Sequence, residues 1–341
     1  MPGRTLSKNE FKSRYKLQFA DPAFRTLDKA IEDIAEAAWD GYAKSRKSPV
    51  TRKAGRRYAD PGYDLSVDWI NASKAIAEAQ STRDRNGKTS ILIVNASPRT
   101  EHTCPGEMSK TYRLVTIAER RLRKAGAAVA ILDLSRTTSE YGRKIYPCKA
   151  CFSTSPALCH WPCSCYPNHS LGQTQDWMNE IYPLWVAAHG VMLVTPVHWF
   201  QATSPLKLMI DRLVCADGGN PDPTLTSGKD AAKAKAVEAK GWHYPRHLAG
   251  RHFSVVVHGD VEGAENLRRS LADWMSSMEM IPAEPKAHLD RYIGYWEPYW
   301  SSHDALDEDA ALQAEIRIAA LTLLEAVRGK AVKIPKDPRQ K

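Results

Sequence analysis

Five of the seven cysteines are crowded into one short segment, at Cys148, Cys151, Cys159, Cys163 and Cys165. Thiolates held close together are the ligands that an iron-sulfur cluster or a zinc ion takes, and four of the five would complete such a set. In a chain without a secretory signal, cysteines are more often free, catalytic or metal-bound than paired in structural disulfides. The segment is therefore a candidate [4Fe-4S] site. The alternatives are a structural zinc ion, and metal-free thiols that are buried or reversibly oxidised.

A second group of chemically useful residues follows an apolar run that is rich in branched side chains. Ser97 and Arg99 come directly after this run, and Thr103, Ser109 and Thr111 lie before and within the start of a predicted helix. Hydroxyls and a guanidinium at a helix N-terminus can hold a phosphate, because free amide hydrogens and the positive end of the helix dipole point at it. The group therefore predicts a phosphate-binding loop. The alternative is that the Ser and Thr residues only cap the helix.

Aromatic side chains mark the end of another apolar run, in the sequence Pro196, Val197, His198, Trp199 and Phe200. Two rings beside a histidine suit a flat conjugated ligand that stacks on its face and takes hydrogen bonds along its edge. Such a cluster taken alone more often packs in a core. Its position at a strand end favours a ligand here.

Common nucleotide-binding and hydrolase signatures are missing. Gly87, Lys88 and Thr89 resemble the end of a nucleoside triphosphate loop, but Thr82 stands where that loop requires glycine, and the tripeptide precedes a strand. No G-x-G-x-x-G follows a predicted strand, and neither G-x-S-x-G nor H-E-x-x-H occurs. These absences disfavour a P-loop enzyme, a Rossmann dinucleotide domain and the corresponding hydrolases.

The elements that must position these residues alternate between strands and helices. Short apolar runs predict strands at residues 90–97, 127–134, 190–197 and 251–259, and a weaker fifth strand near residues 286–293. Helical patterns separate them. This alternation predicts an α/β fold with a doubly wound, five-stranded parallel sheet. Ligands of such sheets bind beyond the carboxyl ends of the strands, which is where the phosphate loop and the aromatic cluster fall.

The chain divides into three predicted parts. Residues 1–85 read as an N-terminal helical extension or arm, residues 86–330 as the α/β domain, and residues 331–341 as a flexible basic tail. We expect two long connections inside the domain to be functional, because loops longer than about 15 residues are usually functional or disordered. They are the cysteine-rich loop at residues 146–170 and a loop at residues 216–250, which is predicted to be a lid or a dimer arm.

The formal net charge is +9, and basic residues cluster between residues 44 and 57. A basic cluster can contact nucleic acid or an acidic membrane, but an arm that packs on a partner subunit is about as common. No nucleic-acid reading module accompanies the charge, so we expect no nucleic-acid partner. The sequence has no apolar run of about 20 residues and no apolar signal segment at its start. We therefore expect a cytoplasmic protein without a membrane span.

Two stretches carry a resemblance to a known family. ILIVNASPR at residues 91–99 and TPVHWFQATSPLKLMIDR at residues 195–212 resemble the phosphate loop, flavin loop and K-x-x-x-D-R helix of the NADPH-dependent FMN reductase and iron-sulfur flavoprotein group of the flavodoxin superfamily. The motifs occur in the same order and at the same strand ends. The chain departs from the family pattern at Ala96, at His198 and in a longer phosphate loop.

The resemblance implies an FMN site with three walls. Ser97, Arg99 and the downstream hydroxyls would bind the FMN phosphate, and residues 196–200 would line the isoalloxazine ring. The other side of the ring would be bordered by His258, Gly259 and Asp260. A compact cysteine motif lies between the second strand and the next helix in iron-sulfur flavoproteins, which supports the cluster hypothesis by resemblance.

The function implied is an FMN-dependent NAD(P)H oxidoreductase. NAD(P)H would reduce the flavin, which would pass electrons to a quinone, free flavin, a metal ion or a redox protein. Enzymes of this fold commonly pair over the flavin, so the resemblance also implies a homodimer or homotetramer. The alternative is a non-enzymatic flavodoxin-like electron carrier or redox sensor.

Overall fold

The computed structural model describes residues 5–85, 87–103 and 106–329. The helices of these residues are α1 Lys8–Lys16, α2 Asp28–Ala43, α3 Val67–Arg85, α4 Lys110–Lys124, α5 Arg136–Ser139, α6 Met178–Ala187, α7 Ser204–Arg212, α8 Ala231–Ala239, α9 Ala264–Ser277, α10 Ser302–Glu308 and α11 Ala310–Val327. The strands are β1 Thr51–Lys53, β2 Asp64–Ser66, β3 Ser90–Asn95, β4 Ala128–Asp133, β5 Gly190–Pro196, β6 His252–Gly259, β7 Ile281–Pro282 and β8 Leu289–Tyr292. None of these helices is both long and apolar enough to cross a membrane.

The central sheet is parallel and has the strand order of a flavodoxin. β4, β3, β5 and β6 lie side by side in that order, and every pairing between them is parallel. β5 occupies one edge of β6 along its length, so β7 and β8 share the opposite edge. The five positions follow the 2-1-3-4-5 order of flavodoxin-like folds, which confirms the predicted fold class. The fifth position is split between two short strands because the chain leaves the sheet at residues 285–287 in a single 3-10 turn.

Helices cover both faces of the sheet, as the continuous apolar strands require. Alternate side chains of the strands enter two different cores. One core packs the sheet against α6, α7 and α9, with Trp185 and Met209 among its fully buried members. The other packs it against α4 and α11, with Leu114 and Leu323 fully buried. The sheet is therefore doubly wound and its interior is filled by side chains.

The N-terminal extension packs on the α/β domain through α3. This helix lies along α6, and its buried Ile76 belongs to the same core as the strands. Trp69 is buried and donates its indole hydrogen to the carbonyl of Pro162, at 2.9 Å. β1 and β2 form a two-stranded antiparallel hairpin that the Pro, Gly and Arg content of this stretch did not predict. The hairpin was missed because the three residues of β1 are all exposed and show no apolar alternation.

The loop at residues 216–250 contains α8 and lies against the cysteine-rich segment. α8 contacts the single-turn helices at Pro156–Leu158 and Pro223–Thr226. In the described part of this chain, the loop contributes no residue to the cavity at the strand ends. Whether it meets a second copy of the chain stays a prediction. The tail predicted at residues 331–341 lies outside the described residues.

Candidate functional site

A cavity of about 630 Å³ opens at the carboxyl edge of the sheet, between the ends of β3, β5 and β6. The parallel register places these ends side by side, with Asn95 opposite Val194 and Pro196 opposite His258. Most of the residues that the sequence nominated line this one cavity. They are Ser97, Arg99, Thr103, Ser109, Thr111, Pro196, Val197, His198, His258, Gly259 and Asp260. Ligand cavities in proteins commonly measure about 300 to 1,000 Å³, so the volume suits a nucleotide-sized cofactor.

Three hydroxyls on the β3 side of the cavity accept backbone hydrogens. Ser97 Oγ accepts from the amide of Arg99 at 3.2 Å, and Thr103 Oγ1 accepts from the amide of Thr100 at 3.0 Å. Ser109 caps α4 by accepting from the amide of Tyr112 at 3.1 Å. A hydroxyl that accepts in this way keeps its own hydrogen as a donor. The helix cap and the anion site are therefore compatible uses of the same residues.

Two basic side chains flank the phenol ring of Tyr299 at the same cavity. The Arg99 guanidinium lies 4.4 Å from the ring centroid and the Lys110 ammonium lies 5.0 Å from it. Lys110 is buried, donates to the carbonyl of Ile293 at 3.0 Å, and has no described carboxylate within ion-pair distance. Burial lowers the pKa of Lys110, an effect that Asp260 opposes. A buried cation beside a cavity favours an anionic ligand that neutralises it.

His258 and Thr111 join the end of β6 to the first turn of α4. Nε2 of His258 lies 2.7 Å from Thr111 Oγ1, and both residues are buried. Burial lowers the pKa of His258 to about 3, with Lys110 and His198 contributing, so the imidazole is neutral at neutral pH. Nδ1 of His258 is buried and has no hydrogen-bond partner among the described residues. A buried polar atom without a partner, on the wall of a cavity, marks a point where a ligand can bond.

The aromatic pair after β5 forms a tight turn with an unusual backbone. His198 and Gln201 exchange backbone hydrogen bonds of 3.0 and 2.8 Å, and the two residues between them have left-handed φ values of 47° and 63°. Such a turn normally takes Asn and Gly, whereas here it holds Trp199 and Phe200. A Cβ at Gly263 would lie 2.9 Å from the Cα of Phe200, so the neighbouring loop needs glycine there. Strain of this kind is concentrated at functional sites.

The rings of Trp199 and Phe200 do not line the cavity, although the sequence predicted them on its wall. Trp199 is 92% exposed and Phe200 is 55% exposed, and neither lines the described cavity. Three further exposed rings are near cavity residues. Tyr292 precedes the cavity residue Ile293 in the chain, and Trp300 follows the cavity residue Tyr299. Trp296 packs on Tyr292, with 5.3 Å between the ring centroids. We call this set the aromatic rim; it consists of Trp199, Phe200, Tyr292, Trp296 and Trp300.

Sequence reasoning missed several residues of the cavity. The most consequential is Lys110, which lies between the nominated Ser109 and Thr111 at the start of α4. Its position in a first helical turn beside a proposed phosphate was a usable signal. Thr138 also lines the cavity and donates to the carbonyl of Pro98 at 3.0 Å. It follows β4, and nothing in its local sequence distinguished it.

The cysteine-rich segment lies beside the far end of α7. Arg212, at the end of that helix, forms a fully buried ion pair with Asp176 at 2.5 Å, donates to the carbonyl of Tyr146 and lies 4.6 Å from the ring of Tyr166. α7 starts after the aromatic turn, has nine residues and is about 13 Å long. Lys207 and Asp211 of the same helix form an exposed pair.

The thiols do not have the arrangement expected for metal ligands. Cys159, Cys163 and Cys165 are buried, whereas Cys148 and Cys151 are half-buried. Within residues 5–85, 87–103 and 106–329, no three His, Cys, Asp or Glu side chains converge as ligands of one metal ion. The described donor set therefore gives no support to the [4Fe-4S] or zinc hypothesis.

We compared the sequence with models of known protein families. A family model described as NADPH-dependent FMN reductase matches residues 89–292, which include every strand of the central sheet. Comparison with curated protein sequences found no match.

Several solved structures are similar to part of this chain. RosB with a bound intermediate, 8-demethyl-8-formylriboflavin-5'-phosphate, is 14% identical, with 71% of this chain and 79% of that chain covered and a TM-score of 0.49. The apo form of the NADH:FMN oxidoreductase EmoB is 14% identical, with 73% and 92% covered and a TM-score of 0.39. NAD(P)H:quinone oxidoreductase from Methanothermobacter marburgensis is 14% identical, with 71% and 94% covered and a TM-score of 0.38.

Proposed function

Because the chain belongs to the NADPH-dependent FMN reductase family, we propose that it carries electrons from NAD(P)H to a planar small-molecule acceptor through FMN bound in the strand-end cavity. The observation that supports this site is that the phosphate loop and the Pro196–His198 segment line one open cavity instead of opposite edges of the sheet. When bound, FMN supplies the hydride and electron-transfer chemistry. The protein has to hold the cofactor, orient it and admit two substrates in turn.

The β3 side of the cavity would bind the FMN phosphate. The hydroxyl hydrogens of Ser97, Thr103 and Ser109 would donate to its oxygens, since each hydroxyl already accepts a backbone hydrogen. Arg99 and Lys110 would neutralise its charge. Charge-assisted hydrogen bonds of this kind contribute about 1.5–3 kcal/mol each, so the two cations would dominate affinity.

The ends of β5 and β6 would hold the ring system. Residues 196–198 on one side and 258–260 on the other line the cavity and would border its polar edge. The neutral His258 would use its unpartnered Nδ1 toward the cofactor, while Nε2 remains on Thr111. Because the imidazole is neutral, it would supply either a donor or an acceptor without adding charge beside the flavin.

The acceptor is inferred from the aromatic rim. Its exposed rings are close chain neighbours of cavity residues or pack on such a neighbour, and they can stack on a flat conjugated molecule, so we infer a quinone in preference to a metal ion. Exposed apolar patches of this kind also mark interfaces. We further infer that a second copy of the chain covers part of the rim. Sedimentation of the FMN-loaded protein should show a dimer that the Trp296→Lys variant weakens.

Steady-state turnover tests the enzyme. Purified protein loaded with FMN should oxidise NADH or NADPH continuously when a benzoquinone or naphthoquinone is present. FMN binding without turnover on a quinone, free flavin or ferric complex would instead support the electron-carrier alternative. Failure to bind FMN at all would remove the proposed site.

Other predictions from the sequence remain open. The proposed reaction routes no step through a [4Fe-4S] cluster, because the described cysteines do not converge on one metal position. The absorption spectrum and the iron and sulfide content of anaerobically purified protein test that cluster directly. The cytoplasmic location also stays a prediction.

A further inference from the structure

The cysteine segment contains a close pair of sulfurs that the proposed flavin reaction does not use. Sγ of Cys151 lies 3.9 Å from Sγ of Cys165. Cys165 is buried at 7% exposure, whereas Cys151 is half-buried. A disulfide requires about 2.05 Å between sulfurs, so the pair has to close by about 2 Å. That distance is within reach of a side-chain rotation and a small backbone shift.

The backbone around Cys151 is an irregular turn. Ala150 has a left-handed φ of 52°, which a non-glycine residue rarely adopts, and Cys151 begins a single 3-10 turn that ends at Ser153. Closure of the sulfur pair therefore has to move one short turn and no long helix or strand. Cys165, by contrast, precedes Tyr166, whose hydroxyl donates to the carbonyl of Pro147 at 2.8 Å.

A second cavity lies close to this pair. It measures about 310 Å³ and lies between the N-terminal extension and the cysteine-rich segment. Lys229 and Tyr166 line it, and the Lys229 ammonium lies 3.7 Å from the sulfur of Cys151 and donates to the carbonyl of Leu158 at 2.9 Å. The Cys151 sulfur therefore lies next to one residue of the cavity wall, with the thiols of Cys165 and Cys159 as its neighbours.

We propose that Cys151 and Cys165 form a reversible dithiol-disulfide couple that is oxidised by hydrogen peroxide. The sulfur of Cys151 attacks one peroxide oxygen, the O–O bond breaks, and one water leaves with formation of a sulfenic acid. The thiol of Cys165 then attacks that sulfur, and the second water leaves. Overall, two thiols and one peroxide give one disulfide and two waters, with two electrons passing from the sulfurs to the peroxide.

This couple is a thiol site in place of a metal site, and it is independent of the flavin. Cys151 is assigned the attacking role because it is the more exposed residue, and Cys165 the resolving role because its buried sulfur lies 3.9 Å away. The buried Cys159 also contacts Cys151, and the Cys165→Ser variant distinguishes the two resolving thiols. The remaining cysteines of the segment stay reduced under the same treatment. The disulfide would join the two ends of the part of the loop that packs against α8.

The test uses the full chain, loaded with FMN, reduced with dithiothreitol and transferred to reductant-free buffer. A few equivalents of peroxide should lower the titratable thiols from seven to five and the intact mass by about 2 Da, the mass of two hydrogen atoms. Dithiothreitol should restore both. Cys165→Ser should instead gain about 16 Da, because the sulfenic acid at Cys151 cannot be resolved. Cys151→Ser should show neither change.

Cys148→Ser is the matched control, since Cys148 is also half-buried and belongs to the same segment. This variant should lose two thiols as the parent does. Three results overturn the proposal: no loss of thiols, a disulfide that persists in Cys151→Ser or Cys165→Ser, or iron or zinc bound stoichiometrically with the thiols protected. An FMN titration of each sample tests the proposed flavin site separately, so failure of the dithiol proposal and failure of the proposed function can be distinguished.

Discussion

Replacing Lys110 by methionine is expected to weaken FMN binding by about 10- to 150-fold without destabilising the FMN-free protein. Lys110 is buried, its ammonium donates to the carbonyl of Ile293, and no described carboxylate pairs with it. Methionine keeps the length and apolar character of the side chain while removing the charge. A change in FMN affinity would therefore report the charge and not a loss of packing.

The magnitude follows from one charge-assisted hydrogen bond to a phosphate, about 1.5–3 kcal/mol, at 1.4 kcal/mol per tenfold change in dissociation constant. The FMN-free protein should be about as stable as the parent, because removal of a buried cation that lacks an anion offsets the hydrogen bond lost at the carbonyl of Ile293. Burial lowers the pKa of Lys110 from its ordinary value of 10.5, and a bound phosphate dianion would raise it again. Binding is then coupled to proton uptake, so the parent's affinity should fall as pH rises toward 10.5 and the variant's should not.

The assay is titration of FMN-free protein with FMN, followed by flavin fluorescence at several pH values, together with urea unfolding. Lys235→Met is the matched control, because Lys235 is an exposed lysine of α8, which lies away from the cavity. This control should bind FMN like the parent. Unchanged affinity in Lys110→Met, or an equal loss in both variants, would refute the assignment of Lys110 to the phosphate.

Buried and strained groups allow three further tests. Because burial lowers the pKa of His258 to about 3 from 6.5, the unfolded chain binds its proton first, and the free energy of unfolding should fall as pH drops between these values. In urea unfolding, the free energy of unfolding of His258→Gln should depend less steeply on pH than that of the parent. An unchanged pH dependence would contradict His258 as its cause. Asp176→Asn breaks a fully buried ion pair and should lower the free energy of unfolding by about 3–5 kcal/mol. Asp211→Asn breaks an exposed pair and should lower it by less than about 1 kcal/mol. Equal losses in the two variants would be inconsistent with this difference in burial. Trp199→Asn combined with Phe200→Gly should raise the free energy of unfolding by about 1 kcal/mol and lower kcat/KM for a quinone, and a less stable double variant would show that the turn is not strained.

The sequence by itself determined the fold class and the edge of the sheet at which the site lies. Apolar runs of strand length alternating with helical patterns are local signals, and they predicted the parallel sheet that the structure confirms. The carboxyl ends of parallel strands necessarily share one edge. Motifs after the strands ending at Asn95 and Pro196 therefore had to lie close together, even though about 100 residues separate them.

Only the tertiary structure decided which side chains complete the site. Lys110 and Tyr299 meet across almost 190 residues because α4 and the segment after β8 lie at the same end of the sheet, a proximity that no local pattern contains. Likewise, spacing grouped the five cysteines, but the backbone of their loop determined that Cys151 and Cys165 approach as a pair. Irregular loops have no fixed period, so the direction of their side chains depends on long-range packing. The same reason explains why Trp199 and Phe200, predicted on the cavity wall, are exposed and do not line the cavity.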